Sequence, residues 1–450
     1  MSSSETLHPN QARLVERLMA DEHARIALVS PTGMGRTRAM MAAIDRLVRR
    51  DPSSTSVLVV APAAIGGYLA GKLRELEVPT RVQYLKGTDL RLQGKGKAVL
   101  EPGVYFVSNE LTRRPWVRDV LVSLPWSLVF IDEAHHGGRA TNELIALLAQ
   151  SETTQRLCAA SATWSHDPSG LDVVTWESEP AERVTRRAAV IHYERSEEER
   201  RVRERLTQIE EEFGADSRIR AGLDAAWRSS ASAFEFVLAR QAGLLEASHS
   251  NVRMASDPIV RERSGHLAGE VPRSAWSDPD GAALALEDLL RQVGAIGRDS
   301  KLEAFLMHVG QSSADTKIVA FTVMRQTAIY LEAALDARDV PTTVIDGARA
   351  PTDRTLAAEA RVAVVTDAVL PAVDFSSGYA GVSYDLPFNP SRLEARWSAL
   401  AASTGEAVMA ILLDSSNADL VESALARNDE LIRNALGLHD PILGAELGEA

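Results

Sequence analysis

Two short clusters in the chain could do chemistry together. Ser30-Pro-Thr-Gly-Met-Gly-Arg-Thr37 joins an apolar run to a helical pattern. Glycines in such a turn let backbone N–H groups approach and cradle phosphate oxygens, and a helix N-terminus adds a favourable dipole. Thr32, Gly33, Gly35 and Arg36 are therefore candidate phosphate-binding residues, and the Thr37 hydroxyl is placed to bind Mg²⁺. About 100 residues later, Val129-Phe-Ile-Asp-Glu-Ala-His-His136 ends an apolar run in two adjacent acids. Asp132 can hold Mg²⁺ through water, and Glu133 can orient and deprotonate an attacking water. A Gly-rich turn alone also fits a purely structural role. The acids downstream favour the chemical one.

These residues need strands that end on one edge. Arg25–Ser30, Val57–Ala61, Val104–Ser108 and Ser127–Ile131 read as buried strands, with helical patterns at Arg36–Arg49 and from Ala61 to about Glu77. Continuous apolar strands separated by helices predict a parallel sheet covered on both faces. From Arg195 to Gly297 the texture turns helical. Ser196 and Glu199 form a capping box, and Val202, Leu206, Ile209 and Phe213 recur at helical spacing. The mixed charges of Arg195–Glu212 read as a solvated face, Ala231–Ala247 as another helix, and Ser248–Asp280 as a long connection. Strand texture resumes at Lys317–Thr322, Thr342–Asp346, Arg361–Thr366, Ala380–Tyr384 and Ala407–Leu412.

The order of these segments resembles the superfamily 2 helicases, and within them the Snf-type DNA translocases and the bacterial polymerase-recycling ATPase branch. Leu7-His-Pro-Asn-Gln11 is similar to the upstream glutamine motif, whose Gln reads adenine, and Val57–Pro62 to motif Ia. Asp132-Glu-Ala-His135 resembles motif II, and Ser161-Ala-Thr163 resembles the coupling motif III. Lys317–Thr322 looks like motif IV, Thr366-Asp367 with Asp374 like motif V, and Tyr384–Pro390 like the lead into motif VI. Asp299-Ser-Lys-Leu-Glu303 resembles the entry to the second motor domain.

The resemblance implies an α/β fold of two RecA-like parallel-sheet domains facing a cleft, with a mostly helical insert between them. The expected bounds are 1–190, 191–298 and 299–450. ATP, Mg²⁺ and duplex DNA are the implied ligands. The family places Ser108-Asn-Glu110 near the bound strand, so Arg113, Arg114 and Arg118 with Trp116 form a candidate DNA patch, an ordinary surface loop being the alternative.

Three departures fall where hydrolysis is most demanding. Arg36 stands in the usual lysine place, and its planar fork cannot occupy the space of a compact ammonium. In Glu394–Ser403 the glutamine and finger-arginine places are Ala395, Ala399 and Ala402, with Arg396 at a neighbouring position as the candidate coupling residue. Ala372 replaces the motif V glycine. Arginine fingers supply roughly 10³–10⁵ in rate. The expectation is a degenerate motor with weak or no ATP hydrolysis, working with a protein partner in a bacterial DNA-processing or defence complex. An active DNA-dependent ATPase taking its finger from elsewhere is the alternative.

The composition bounds these readings. The 450 residues carry 49 basic and 62 acidic side chains, net −13, and 45% hydrophobic residues fit a folded chain. Residues 1–125 hold 18 basic and 12 acidic residues, net +6, which leaves −13 − 6 = −19 for the rest. Non-specific nucleic-acid binding would therefore fall to the N-terminal part, if to any. No apolar run approaches the ~20 residues of a membrane helix, and no signal peptide is evident. The single cysteine, Cys158, excludes an internal disulfide and fits a cytoplasmic protein, with the thiol read as a core residue. His135 and His136 lack a third ligand and read as packing at the motif II turn.

Overall fold

The protein is described from a computed structural model that covers residues 7–30, 34–94, 100–134, 138–161, 170–176, 185–247, 275–346, 359–370, 373, 379–387, 390–401, 406–415 and 447–449. Its described residues fall into two compact units, 7–176 and 185–449. The first holds strands β1 (Arg25–Val29), β2 (Ser56–Ala61), β3 (Arg81–Tyr84), β4 (Gly103–Ser108), β5 (Leu128–Ile131), β6 (Leu157–Ser161) and β7 (Asp172–Thr175). Its helices are α1 (Pro9–Ala20), α2 (Arg36–Arg50), α3 (Ala63–Glu75), α4 (Gly87–Gly94), α5 (Asn109–Thr112), α6 (Pro115–Ser123) and α7 (Gly138–Gln150). The strands form one sheet in the order β3-β4-β2-β5-β6-β1-β7, with every pairing parallel.

Parallel strands need helical crossovers, and these cover both faces of the sheet. That is why Val57, Leu58, Val59 and Val60 are all fully buried rather than alternating. At roughly 1.5–3 kcal/mol per buried aliphatic side chain, this one stretch outweighs the cost of a charged residue at a strand end. Trp126 fills the core beside Tyr105, Val129 and Leu144, and its indole N–H donates to the Leu121 carbonyl at 2.7 Å. Cys158 lies on β6 with no exposure, as expected of a core residue, and burial pushes its thiol pKa up.

The second unit begins with β8 (Thr185–Tyr193), followed by α8 (Glu197–Glu212), α9 (Ser217–Ser229), α10 (Ala231–Ala247) and α11 (Pro279–Gly294). Then come α12 (Ser300–Gln311), β9 (Ile318–Thr322), α13 (Arg325–Asp336), β10 (Thr342–Ile345), β11 (Val362–Thr366), β12 (Ala380–Ser383), α14 (Pro390–Ala401), β13 (Glu406–Asp414) and β14 (Leu447–Glu449). The sheet order is β10-β11-β9-β12-β13-β8-β14, again wholly parallel. The expected architecture of two parallel-sheet α/β domains is present.

The expected boundary at 190 is corrected. It cuts through β8, which pairs with β13 from Thr185↔Glu406 to Tyr193↔Asp414. Ala188, Val190 and Tyr193 are buried there, so this stretch belongs to the second sheet. The four helices α8–α11 share an apolar core of their own, built on Val202, Leu206, Ile209, Leu223, Trp227, Phe234, Leu286 and Leu289. The expected stripe on α8 is its contribution, and the Ser196–Glu199 capping box is formed. Of the expected connection, residues 248–274 lie outside the described residues. Its end is helical instead, because Asp278 caps α11 by accepting from the Asp280 and Gly281 N–H groups.

The solvated face expected over 195–212 also fails at Arg195, Glu199 and Glu210, the last of which is 6% exposed. Arg195 lies over the Trp227 ring, 4.3 Å from its centroid, and pairs with Asp414 at 2.9 Å. Glu199 is buried and accepts from the Ser300 hydroxyl at 2.6 Å. Arg195 and Glu199 tie the helical bundle to the second sheet. A further tie is Lys301, whose ammonium donates to the carbonyls of Arg228 and Ser229 at the end of α9 and lies 3.8 Å from Asp385. Burial outweighs Asp385 and pulls the Lys301 pKa down to about 8.

A depressed lysine pKa penalises the protonated folded form. The penalty is complete below pH 8 and is relieved as pH rises from there towards the unfolded value near 10.4. Removing the ammonium leaves the buried Asp385 carboxylate without its ion-pair partner, so Lys301→Met is expected to destabilise the second unit by about 3 kcal/mol at neutral pH. The deficit against wild type should widen between pH 8 and 10 in urea unfolding. A deficit that is constant with pH would show that the ammonium does not titrate in that window.

Candidate phosphate-binding site

In the first sheet β5, β6 and β1 are neighbours, so their carboxyl ends bring Asp132, Ser161 and Ser30 to one edge. The Ser30 N–H donates to the Ser161 carbonyl at 3.0 Å, which fixes the start of the phosphate loop against β6. Thr32 and Gly33 of the loop lie outside the described residues, as do Thr163, His135, His136, Asp374, Ala372 and Ala402. Thr37 is half-buried in the first turn of α2.

Gly35 precedes α2 with φ at +77°, in the left-handed region, and a Cβ there would stand 2.2 Å from the Gln11 amide nitrogen. Only glycine meets both demands. Gln11, on α1, donates from Nε2 to the Met34 carbonyl at 3.0 Å and accepts at Oε1 from the His8 N–H at 3.1 Å. Its amide therefore braces the loop from behind.

Arg36 is the first residue of α2 and only 6% exposed. Its Nη2 donates to the Glu133 carboxylate, and the buried Nη1 has no hydrogen-bond partner. Glu133 has φ at +51°, uncommon for a residue with a side chain, and its N–H donates to Asp132 Oδ1 at 2.9 Å. Asp132 is buried. Burial and the Glu133 charge raise its pKa to about 6, against the opposing pull of Arg36 and the Glu133 N–H. The sequence placed these residues in one site but not in one ion pair. Arg36 and Glu133 are 97 positions apart, and only the sheet order makes them neighbours.

Among the expected residues of the second unit, Arg396 is fully buried on α14. Nε and Nη2 grip the two carboxylate oxygens of Asp367 at 2.7 and 2.9 Å, while Nη1 donates to Ser383 Oγ and the Asp385 carbonyl, both at 2.6 Å. The guanidinium thus clamps the ends of β11 and β12 to α14. Ala395 and Ala399 are half-buried beside it and offer no charge.

Arg113 and Arg114 are exposed and Trp116 is half-buried. Arg118, read as part of the same patch, is not available. It is buried, donates to the Thr112 and Arg113 carbonyls, and pairs with Glu143 at 2.9 Å. The sequence missed Arg91, whose guanidinium carbon lies 5.3 Å from the Trp116 ring centroid, and the exposed Lys86 just before α4. No local signal announced them, because α4 reaches α6 only through the fold. No group of metal-ligating side chains and no helix long and apolar enough to cross a membrane occurs among the described residues.

Residues 4–165, a little over a third of the chain, match the family model described as Type III restriction enzyme, res subunit. The match contains the loop, both acids and Ser161. Among solved structures the chain is similar to the Pyrococcus furiosus Hef helicase domain, with 16% identity, 93% of this chain and 97% of that chain covered, and a TM-score of 0.46. No curated protein matches the chain.

The Asp132 carboxylate gives this site a measurable signature. Its raised folded pKa penalises the ionised form above about pH 6, and the penalty vanishes as pH falls below the unfolded value near 3.9. In metal-free buffer Asp132→Asn is expected to raise the urea midpoint at pH 8 and to leave it unchanged near pH 4. An equal effect at both values would assign the change to packing.

Proposed function

We propose that the chain is a degenerate superfamily 2, Snf-type helicase-like protein. In this reading it binds ATP and duplex DNA, hydrolyses ATP weakly or not at all, and serves as a subunit of a bacterial DNA-processing or defence complex. The nucleotide part is supported by the loop, the Gln11 brace and the two adjacent acids that follow β5. Asp132 and Thr37 would hold Mg²⁺, which would neutralise phosphate charge. Thr37 lies at the helix N-terminus, and burial disfavours the Asp132 charge in a way a divalent cation would offset. The helicase-like genus is supported by the family match over residues 4–165.

One observation carries the loss of hydrolysis. Arg396, the arginine nearest to the finger positions, spends its guanidinium on Asp367, Ser383 and the Asp385 carbonyl. Freeing it would leave Asp367 unpaired at a buried strand end, at about 3–5 kcal/mol. Without a finger, phosphoryl transfer forgoes roughly 10³–10⁵ in rate.

ATP turnover is expected to stay at background with and without duplex DNA, and to be unchanged in Glu133→Gln. DNA-stimulated turnover abolished by that substitution would establish the active ATPase instead.

DNA contact is supported by Lys86, Arg91, Arg113 and Arg114 around Trp116 on the more basic part of the chain. Each phosphate neutralised contributes about 0.9 to the slope of log affinity against log salt. Duplex binding should weaken between about 50 and 200 mM salt, and an Arg113→Ala, Arg114→Ala double variant should lower the slope by about 2. A salt-independent affinity, or an unchanged slope in the variant, would refute this surface.

A further inference from the structure

The guanidinium of Arg36 is already occupied on one side. A lysine there would present a compact charge to an incoming phosphate, whereas the arginine fork reaches a carboxylate just beyond β5. The pair is nearly dry, with side-chain exposures of 7% for Arg36 and 14% for Glu133. Buried charges of opposite sign hold each other strongly, because neither has water to fall back on. The Arg36 charge is therefore already spent on Glu133, with Asp132 a further acid beside the pair.

The other half of the fork differs. Nη1 is buried and makes no hydrogen bond, a donor state that folded proteins seldom leave uncompensated. It belongs to a side chain that is nine-tenths buried at the N-terminus of the fifteen-residue helix α2. An anion arriving at the loop can take Nη1 first and then compete with Glu133 for Nη2.

We propose that the Arg36–Glu133 pair is a latch on the phosphate site, opened by a phosphate that displaces the carboxylate from the guanidinium. Glu133 is freed only after a phosphate has taken its place. In the latched state the acid is a positioning residue for Arg36 and is withheld from water. No bond is made or broken. The opening exchanges one ion pair for another, so a multiply charged phosphate opens the latch more readily than a singly charged anion. This inference rests on the reading of the loop as a phosphate site.

The test is calorimetric titration of the full chain with inorganic triphosphate and with a non-hydrolysable ATP analogue, each with Mg²⁺. Wild type, Glu133→Gln, Arg36→Met and the double variant are compared, and thermal unfolding checks that each is folded. Glu133→Gln is expected to bind both probes at least tenfold more tightly than wild type. In the Arg36→Met background the same substitution should change affinity less than threefold, because there is no guanidinium left to release. A gain that persists in that background would mean simple repulsion between Glu133 and phosphate, and would overturn the latch. So would equal affinity of wild type and Glu133→Gln, with the phosphate-site reading intact. If neither wild type nor Glu133→Gln binds either probe, both readings fall. If Arg36→Met binds too weakly to compare, unfolding midpoints without ligand decide. Additive effects of the two substitutions exclude a working pair, and non-additive effects support it.

Discussion

A cation buried against the end of a parallel strand needs acceptors to replace water, and in three places of this molecule a carboxylate just beyond the strand supplies them. The strands are apolar through their length, so the strand ends are the first places where charge can enter. Three buried cations on helices reach such ends: Arg36, Arg396 and Lys301 are 6%, 0% and 4% exposed. Each meets an acid just beyond a strand, Glu133 after β5, Asp367 after β11 and Asp385 after β12. Moving an ion out of water costs several kcal/mol even after relaxation, and an unpaired one is rarely kept. The choice of arginine at position 36 therefore reaches beyond its own helix. It commits Glu133.

The two arginines use geometry that lysine lacks. Arg396 grips both oxygens of Asp367 and still reaches Ser383 and the Asp385 carbonyl, so one side chain joins three segments. Lys301 does a different job with a compact charge, filling the carbonyl end of α9. Of the 49 basic residues only six are lysines, so forked contacts are the common resource of this chain. A bias that looks compositional in the sequence becomes, at Arg36 and Arg396, a set of structural commitments.

The strands were legible because burial on both faces writes a continuous apolar run, as in Val57–Val60 and Ile318–Phe321. Helix starts were legible where a cap is local, as at Ser196–Glu199. Proximity was legible in part: Gln11 contacts Met34 and Gly35, and Arg36 meets Glu133 beside Asp132. Partnership was not legible. Arg118 reads as one more exposed arginine until Glu143 and two carbonyls are seen to enclose it. The strand β8 reads as the tail of the first domain because nothing in its own residues names β13 as its neighbour. Parallel pairing joins segments far apart in sequence, and its register is carried by the sheet rather than by a turn.

The same logic explains why the helical bundle sits on the second sheet through polar contacts. Its apolar residues are spent inwardly, on a core shared by α8–α11, and Met324 is the residue flanking α13 that packs against that core. What remains for the joint is directional. Arg195 holds Asp414, Glu199 takes the Ser300 hydroxyl, and Ser229 and Thr322 both donate to Asp385. Apolar surfaces slide at little cost, whereas a buried hydrogen bond lost without replacement costs about 1–3 kcal/mol. A joint of this kind adds less to stability than an apolar one of equal area, but it sets the angle between bundle and sheet. Asp385 belongs to that joint through its side chain and to the Arg396 clamp through its carbonyl. The segment that holds Arg396 in place is therefore the segment on which the bundle is seated.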